Sequence, residues 1–539
     1  MKLCIFFSFC TGAAAQEKLS YEKVLETAVN NNFDIQLKKA ALLSASGQYK
    51  QAVGETDITV GAAASYQQTH KPVDSDDVNY YYGDSNFNRT WYNEKIHNPS
   101  YLAIDDTVSK ETDASVWASK LFSFGLNTKL SYSVTRQLSQ NNYIYDSKWG
   151  NITIPDDDAR NYGTLKLEMS LPLFKSFNDS ITGNNIKAAK ASLDRMKSDL
   201  SDTISKTVLS ASSAYWNYLQ AHNKFTQLKK MYDRIVERRK NLEQLITSGV
   251  RSRNDMLELQ VNEIAVQRDV LSAQTDLNNC LLQLRQIMGV QNDTAQSAEP
   301  DYTFPDFENI TLPSPDSITE DSLSKITDKR PDIQALKKQM EAAQFAMHIA
   351  DVNTRPDANL NFSIGTTGAT YSDSYSELFS SGTKNIKGAN LMGGLAVSIA
   401  LPNNSKKGAQ DTAMASYKQA QIQMNQIITY LALQLKNITE TMNSYHIFVI
   451  GANEALTLQE TLYHNEQKRF DAGLITINDI LTQDDKYLSA QIQYYQILIT
   501  YLNSILEFKY YTGDLVTITG ADTNSVQKTT VYAIDDAGK

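Results

Sequence analysis

Apolar side chains recur every three or four residues along two very long stretches of the chain. The first runs from Lys187 to Gly249 and the second from Tyr417 to Phe470. An average spacing near 3.5 residues between apolar positions, sustained over this length, is typical of helices packed in coiled coils. The first stretch would form a helix roughly 90 Å long. Shorter helical patterns follow at 253–288 and 477–511, so the sequence predicts two helical hairpins.

Each predicted hairpin turns at a glycine and continues with an acid. Gly249 and Gly473 stand where the long helices should end, and glycine is favoured there because it readily adopts a positive φ. Asp255 and Asp479 each follow six residues after the glycine, at the start of the return helix. There a carboxylate is favoured by the helix dipole.

Six other segments alternate between apolar and polar residues, which predicts β-strands. Their lengths of about ten to thirteen residues suit a tilted strand in a membrane. The predicted strands are Asp57–Gln68, Ala114–Phe122, Asn127–Ser139, Tyr162–Phe174, Asp357–Gly368 and Asn390–Pro402. Polar segments rich in Asp, Asn and Tyr, at 71–110 and 140–160, are predicted to be extracellular loops.

The two halves of the sequence resemble each other. When the sequence is aligned with itself at an offset of 224 residues, Gly249 falls on Gly473 and Asp255 falls on Asp479. The sequence therefore predicts two copies of one unit. We place the first repeat at 16–290, with a strand and loop insertion at about 69–160. After it come a linker at 291–327, the second repeat at 328–513 and a tail at 514–539.

Charge and the N-terminus narrow the class of protein. A net charge of −10 argues against a nucleic-acid partner. Residues 1–15 read as a secretory signal peptide, with Lys2, a short apolar core and an A-x-A site at Ala13–Ala15. Beyond it no apolar run is long enough for a transmembrane helix, so a membrane would have to be entered by strands. Cys280 lies in an apolar helical pattern and is read as a packing residue.

The order of these features resembles the TolC-type outer-membrane efflux proteins over about residues 17–513. Three segments carry the resemblance: "KRPDI" at Lys329–Ile333, "LPLF" at Leu171–Phe174, and "RFDAGLITINDIL" at Arg469–Leu481. "KRPDI" is similar to the start of the family's second repeat. "LPLF" is similar to the end of one of its strands, and "RFDAGLITINDIL" is similar to the turn between its long helix and its return helix.

The resemblance implies a mixed α and β fold and a homotrimer. Three chains would form an outer-membrane β-barrel and a long periplasmic α-helical coiled-coil barrel, built from two internal repeats. The trimer would join a periplasmic adaptor protein and an inner-membrane pump of RND, ABC or MFS type, and would contact outer-membrane lipid. The implied function is an exit duct for efflux or secretion. The alternative is a secreted coiled-coil scaffold or adhesin-like protein without transport.

Several residues depart from the family's pattern. Family members usually supply four strands per chain, and here an additional hairpin is predicted at about 114–139. Phe470 and Ile475 replace a tyrosine and an arginine that latch the turn in some members. Arg251, Arg253 and Phe470 remain candidates for adaptor contact or for a latch.

The candidate site is an acidic ring at the periplasmic aperture, formed by Asp255 and Asp479 from each chain. The competing interpretation is that both acids serve only the ends of their helices. His222 and His446 also align with each other at the offset of 224 residues. A pH-sensitive ring of these histidines inside the tunnel is therefore a further hypothesis. Enzyme motifs of the nucleophile-elbow, zinc-protease or P-loop kind are absent from the sequence. We therefore expect no enzyme activity, no cofactor and no metal.

Overall fold

The chain forms two compact units. A computed structural model describes residues 19–72, 102–145, 152–155, 159–249, 251–290, 312–313, 319–518 and 529–531. The first unit comprises Met1–Gly47, Ala191–Glu341 and Lys418–Lys539, and the second comprises Gln48–Lys190 and Ala342–Tyr417. The predicted signal peptide and most of the predicted linker lie outside the described residues. So do residues 73–101, 146–151 and 156–158 of the predicted loops.

Four helices make up the two predicted hairpins. Their ends at the turns agree with the sequence to within about two residues, whereas the long helices begin earlier than predicted, at Ile181 and Asn404 rather than at Lys187 and Tyr417. The first long helix is Ile181–Thr247 and its return helix is Arg253–Met288. The second long helix is Asn404–Asp471 and its return helix is Ile477–Thr512. The other helices are Tyr21–Asn31, Phe33–Gly54, Glu320–Lys329, Pro331–Thr354 and Tyr375–Ser380, with 3-10 turns at Phe177–Asp179 and Ser381–Thr383. None of the helices in the described ranges combines the length and hydrophobicity that crossing a membrane needs.

The "KRPDI" segment separates two helices and anchors the second. Proline disfavours helical geometry at the residue before it, and Arg330 is extended between helices Glu320–Lys329 and Pro331–Thr354. The Arg330 guanidinium is 6% exposed, forms a forked pair with Asp332, and donates from Nη1 to the Tyr511 carbonyl at 3.1 Å. The motif thereby ties this helix to the end of the second return helix.

One antiparallel sheet contains all six predicted strands. The strands are β1 (Ile58–Pro72), β2 (Leu102–Leu121), β3 (Asn127–Tyr145), β4 (Ile152–Pro155), β5 (Arg160–Pro172), β6 (Asp357–Tyr371) and β7 (Ala389–Ser398). Their order is β1-β2-β3-β5-β6-β7, and the short β4 pairs with β3 alone. The additional hairpin, β2–β3, therefore belongs to the same sheet as the other strands. A small separate pair joins β8 (Val516–Ile518) and β9 (Thr529–Val531).

Two strands are much longer than predicted, which corrects part of the loop assignment. β2 has 20 residues and β3 has 19, so 102–110 and 140–145 are strand rather than loop. Residues 71–72 belong to β1, and β4 is a further strand within the second predicted loop. The sequence pattern missed these ends because polar runs, Asp105–Asp106 in β2 and Gln140–Asn142 in β3, interrupt the apolar alternation. The two strands continue to pair through these runs.

The sheet has one apolar and one polar face, and a short segment covers part of the apolar face. Residues 375–383 lie over Gly163 on β5, where a Cβ atom would come within 2.2 Å of the Gly382 backbone nitrogen. The Tyr132 hydroxyl on β3 donates to the Phe379 carbonyl at 2.8 Å. Close approach of this backbone thus requires a glycine at position 163.

Candidate functional site at the hairpin tips

Both hairpin turns are built on glycines in the left-handed region. Gly249 has φ 80° and Gly473 has φ 74°. The Gly473 N–H donates to the Phe470 carbonyl at 2.9 Å and the Leu474 N–H to the Arg469 carbonyl at 2.9 Å. This is the Schellman motif, which satisfies the last carbonyls of a helix. Each long helix ends two residues before its glycine, at Thr247 and at Asp471. That the glycines lie at the tip of a tunnel stays a prediction.

Asp479 caps the second return helix. The Thr476 hydroxyl accepts from the Asp479 N–H at 3.2 Å, and the Asp479 carboxylate accepts from the Thr476 N–H at 2.9 Å. This reciprocal pair is a capping box. Hydrogen bonds from the Thr476 side chain, and then from its backbone, hold the pKa of Asp479 below its ordinary value. The exposed carboxylate is therefore an anion throughout the neutral range.

Asp255 occupies the equivalent helical position but has different surroundings. Ser252 caps the first return helix by accepting from the Asn254 N–H at 3.1 Å. Asp255 is half-buried, and its carboxylate makes no hydrogen bond or ion pair with the residues that the structure describes. The helix-end role is thus observed for Asp479, whereas the geometry shows no such bond for Asp255. A ring of both acids stays a prediction.

The tips of the two hairpins pack against each other through an apolar cluster. Its buried members are Met231, Ile235, Leu242, Leu259, Val266, Ile477, Ile480 and Leu481. These residues come from the first long helix and from both return helices. Phe470, on the second long helix, and Ile475, in the second turn, pack on the edge of the cluster. The cluster joins the first hairpin to the second within one chain.

A buried ion pair lies beside this cluster. Arg238 Nη1 is 2.7 Å from Asp484 Oδ2, with the two side chains 8% and 0% exposed. Arg238 also donates from Nη2 to the Gln467 side chain at 3.0 Å, while Arg234 lies 3.7 Å from the same carboxylate. The pair links the first long helix to both helices of the second hairpin.

Phe470 and Arg251 form a second bridge between the tips. The Phe470 ring has two guanidiniums over it, Arg238 at 5.5 Å and Arg251 at 5.6 Å from the centroid. Arg251 also donates from Nη2 to the Ile475 carbonyl at 3.2 Å. The structure therefore brings Arg251 and Phe470 together. Arg253, the other candidate, is exposed at the start of its helix.

The remaining titratable candidates are placed inside the helical unit. His446 Nδ1 lies 3.1 Å from the Tyr501 hydroxyl, and the His222 ring lies 6.1 Å from that of Tyr218. Cys280 packs against the main core, as predicted, and burial raises the pKa of its thiol. Among the described residues, no group of three or more His, Cys, Asp or Glu side chains could hold a metal ion.

The comparisons with known proteins agree with this fold. The sequence model of the outer membrane efflux protein family matches residues 124–290 and 322–513. The chain belongs to this family. It is an outer-membrane exit duct with a periplasmic extension, and its fold is mixed α and β, mostly helical with one antiparallel main sheet. A search of curated protein sequences gave no significant match.

Solved structures with the same fold are distant in sequence. The Campylobacter jejuni CmeC outer-membrane channel is 13% identical with a TM-score of 0.61, covering 92% of this chain and 85% of that one. Vibrio cholerae VceC is 16% identical with a TM-score of 0.59, covering 92% and 96%. The open state of Neisseria gonorrhoeae MtrE is 13% identical with a TM-score of 0.59, covering 92% and 88%.

Proposed function

We propose that this exit duct works as a homotrimer whose chains are each built from two repeats of one unit. In this proposal the sheets close an outer-membrane barrel, and the hairpins form a coiled-coil tunnel. The tunnel docks on a periplasmic adaptor that recruits an inner-membrane pump. The long and return helices have 67 and 36 residues in the first hairpin and 68 and 36 residues in the second. This near equality of lengths supports the repeat.

The observation that carries the trimer is an apolar stripe on the outer face of the first return helix. Its members are spaced three, four, seven or eleven residues apart and are strongly exposed: Leu257 60%, Val261 70%, Ile264 68%, Leu271 60% and Leu282 66%. The opposite face, with Leu259, Val266 and Leu284, is already buried within the chain. A helix that is apolar on two faces needs a second partner helix.

The second long helix carries a matching stripe. Its exposed members are Ile422 65%, Leu433 66%, Ile447 68%, Leu458 60% and Leu462 49%. Two different apolar surfaces on one chain fit a head-to-tail contact between copies, which closes into a ring when the rotation permits. We therefore assign the occupant of each stripe as the other stripe of a neighbouring copy.

A charge placed in the stripe tests the trimer. Val261→Asp with Ile264→Asp should convert trimers to monomers in mild detergent, measured by light scattering. Gln267→Glu adds a charge at an exposed polar position of the same helix and should leave the trimer intact. Trimers that survive the double substitution would contradict the proposed interface.

The proposed aperture is ringed by Asp255 and Asp479 of three chains. Both lie in the first turn of a return helix, and rings of carboxylates favour cations in narrow pores. We expect Asp255→Asn with Asp479→Asn to weaken cation preference and divalent-cation block in planar bilayers. Asp321→Asn, which removes an exposed acid elsewhere, serves as the control. Unchanged selectivity in an intact trimer would mean that the two acids serve only their helix ends.

Adaptor docking is proposed at the turns themselves. Leu474, next to Gly473, is 70% exposed at the tip of the second hairpin, and Arg253 is exposed near the tip of the first. Leu474→Asp should weaken binding of the organism's periplasmic adaptor at least about tenfold, whereas Leu474→Met should bind normally. Equal binding by both variants, measured by surface plasmon resonance, would place the adaptor elsewhere.

A further inference from the structure

We propose that the additional hairpin β2–β3 is part of the outer pore wall, so that the free edge of β1 pairs with β7 of a second copy. Three copies would then supply eighteen long strands. This inference rests on the proposed trimer and adds the strand that each copy offers to its neighbour.

The first support is the register of the apolar face. One row of paired residues runs from edge to edge without a polar residue, through the additional hairpin. In strand order it is Val60, Ala118, Leu130, Leu167, Ile364 and Leu391. Val60 is 75% exposed, Leu130 50% and Leu391 68%. A lipid-facing barrel wall needs such a continuous apolar band, and the hairpin continues it in register.

The opposite face of the hairpin is polar, as a water-filled lumen requires. Asp113 accepts from the Thr135 hydroxyl at 2.6 Å, and Glu111 accepts from the Gln137 amide at 3.2 Å. The neighbouring strand β5 presents Lys166 to Ser131 in the same layer. A hairpin lying outside the wall would have no reason to keep its two faces aligned with those of the other strands.

The two edges of the sheet are complementary. β1 and β7 have no partner on their outer sides among the described residues. Every residue of β7 is exposed, whereas most residues of the interior strand β5 are partly or fully buried. Six strands are an even number, so β1 and β7 run in opposite directions and can pair antiparallel. A second copy of the chain therefore fits each edge.

The consequence is a wider outer pore than four strands per chain would give. Barrel diameter grows roughly linearly with strand number, so eighteen strands give a pore about 1.5 times as wide as twelve, in the range of water-filled porins. The outer pore would then admit bulky hydrophilic cargo, and size selection would fall to the periplasmic end.

Disulfide formation between edge strands tests the assignment. In a Cys280→Ser background, Ala62→Cys on β1 is combined in turn with Leu391→Cys, Leu395→Cys or Val397→Cys on β7, all on the apolar face. We expect at least one combination to give covalently linked chains on denaturing gels. Leu165→Cys with Thr366→Cys, a registered pair within the chain, is the control for reactivity and should link only internally.

The competing arrangement is a wall of the four strands that are consecutive up to β7, namely β3, β5, β6 and β7. It leaves β1–β2 outside the wall and makes β3 the edge strand. Leu130→Cys on β3, combined in turn with the same three β7 cysteines, should then link to a neighbouring chain, and that result would overturn the proposal. Trimers in which no β1–β7 combination links would overturn it as well, without affecting the trimer. Monomers alone would overturn the trimer and this proposal with it. Electron cryomicroscopy in lipid nanodiscs offers a direct count, for which eighteen strands are expected and twelve would refute the assignment.

Discussion

Removing Asp484 should loosen the hairpin tips far more than its single hydrogen-bonded contact suggests. The carboxylate is 0% exposed and lies 2.7 Å from Arg238, which is 8% exposed. Asp484→Asn keeps the shape but leaves the guanidinium buried beside a neutral amide. An arginine side chain is not deprotonated in proteins, so it cannot escape the buried site by becoming neutral. Breaking one side of a buried ion pair costs about 3–5 kcal/mol.

The assay is hydrogen exchange of the tip segments, followed by mass spectrometry. Exchange reports the free energy of local opening, and each 1.36 kcal/mol is about tenfold in the opening equilibrium. We therefore expect protection around 477–488 to fall by between a hundredfold and a few thousandfold. Segments of the sheet should be unaffected.

An exposed ion pair with nearly the same N–O distance is the matched control. Lys325 and Asp321 lie 2.8 Å apart with 74% and 81% exposure, and such surface pairs contribute about 0–1 kcal/mol. Asp321→Asn should therefore change local protection less than about tenfold. If Asp484→Asn changes protection no more than this control, the argument from burial is wrong.

The double substitution separates charge from shape. Arg238→Met with Asp484→Leu removes both charges and keeps apolar volume, and such replacements are often neutral or stabilising. The double variant should recover most of the protection that Asp484→Asn loses. A double variant as unprotected as the single one would show that packing, not the unpaired charge, caused the loss.

Three further predictions concern the turns and the "KRPDI" anchor. Gly473→Ala should destabilise the second hairpin by about 1–2 kcal/mol because its φ is left-handed, whereas Gly451→Ala in the interior of the long helix should stabilise it by up to about 1 kcal/mol; thermal unfolding by circular dichroism compares them. The folded pKa of Asp479 is lowered, so its capping contribution is present above the ordinary aspartate pKa and is lost as pH falls through the folded value. The difference in Tm between the wild type and Asp479→Ala should therefore shrink below about pH 4, and a difference independent of pH would contradict the capping role. Arg330→Lys should lower the Tm because lysine cannot reproduce the forked contact with Asp332 and the bond to Tyr511 together; an unchanged Tm would refute this.

The helix ends were predictable from the sequence because local chemistry determines them. A glycine with positive φ ends each long helix, and a hydroxyl residue starts each return helix. The ends of β2 and β3 were not predictable in the same way. Backbone pairing carries these strands through polar runs such as Gln140–Asn142, where no apolar periodicity marks a strand. Membership of the additional hairpin in the main sheet likewise depends on pairing between distant segments.

The buried pair was missed for a related reason, although the sequence carried one sign of it. Arg238 and Asp484 are 246 residues apart, and neither has a counterpart of its own type under the 224-residue shift. Yet Asp484 continues the apolar series of Ile477, Ile480 and Leu481 at helical spacing. An acid in an apolar stripe must either be exposed by a break in the packing or be paired with a cation. The sequence therefore points to a cation on the facing helix, where the arginines nearest the turn are Arg234, Arg238 and Arg239. Only the structure shows which of these three makes the close contact.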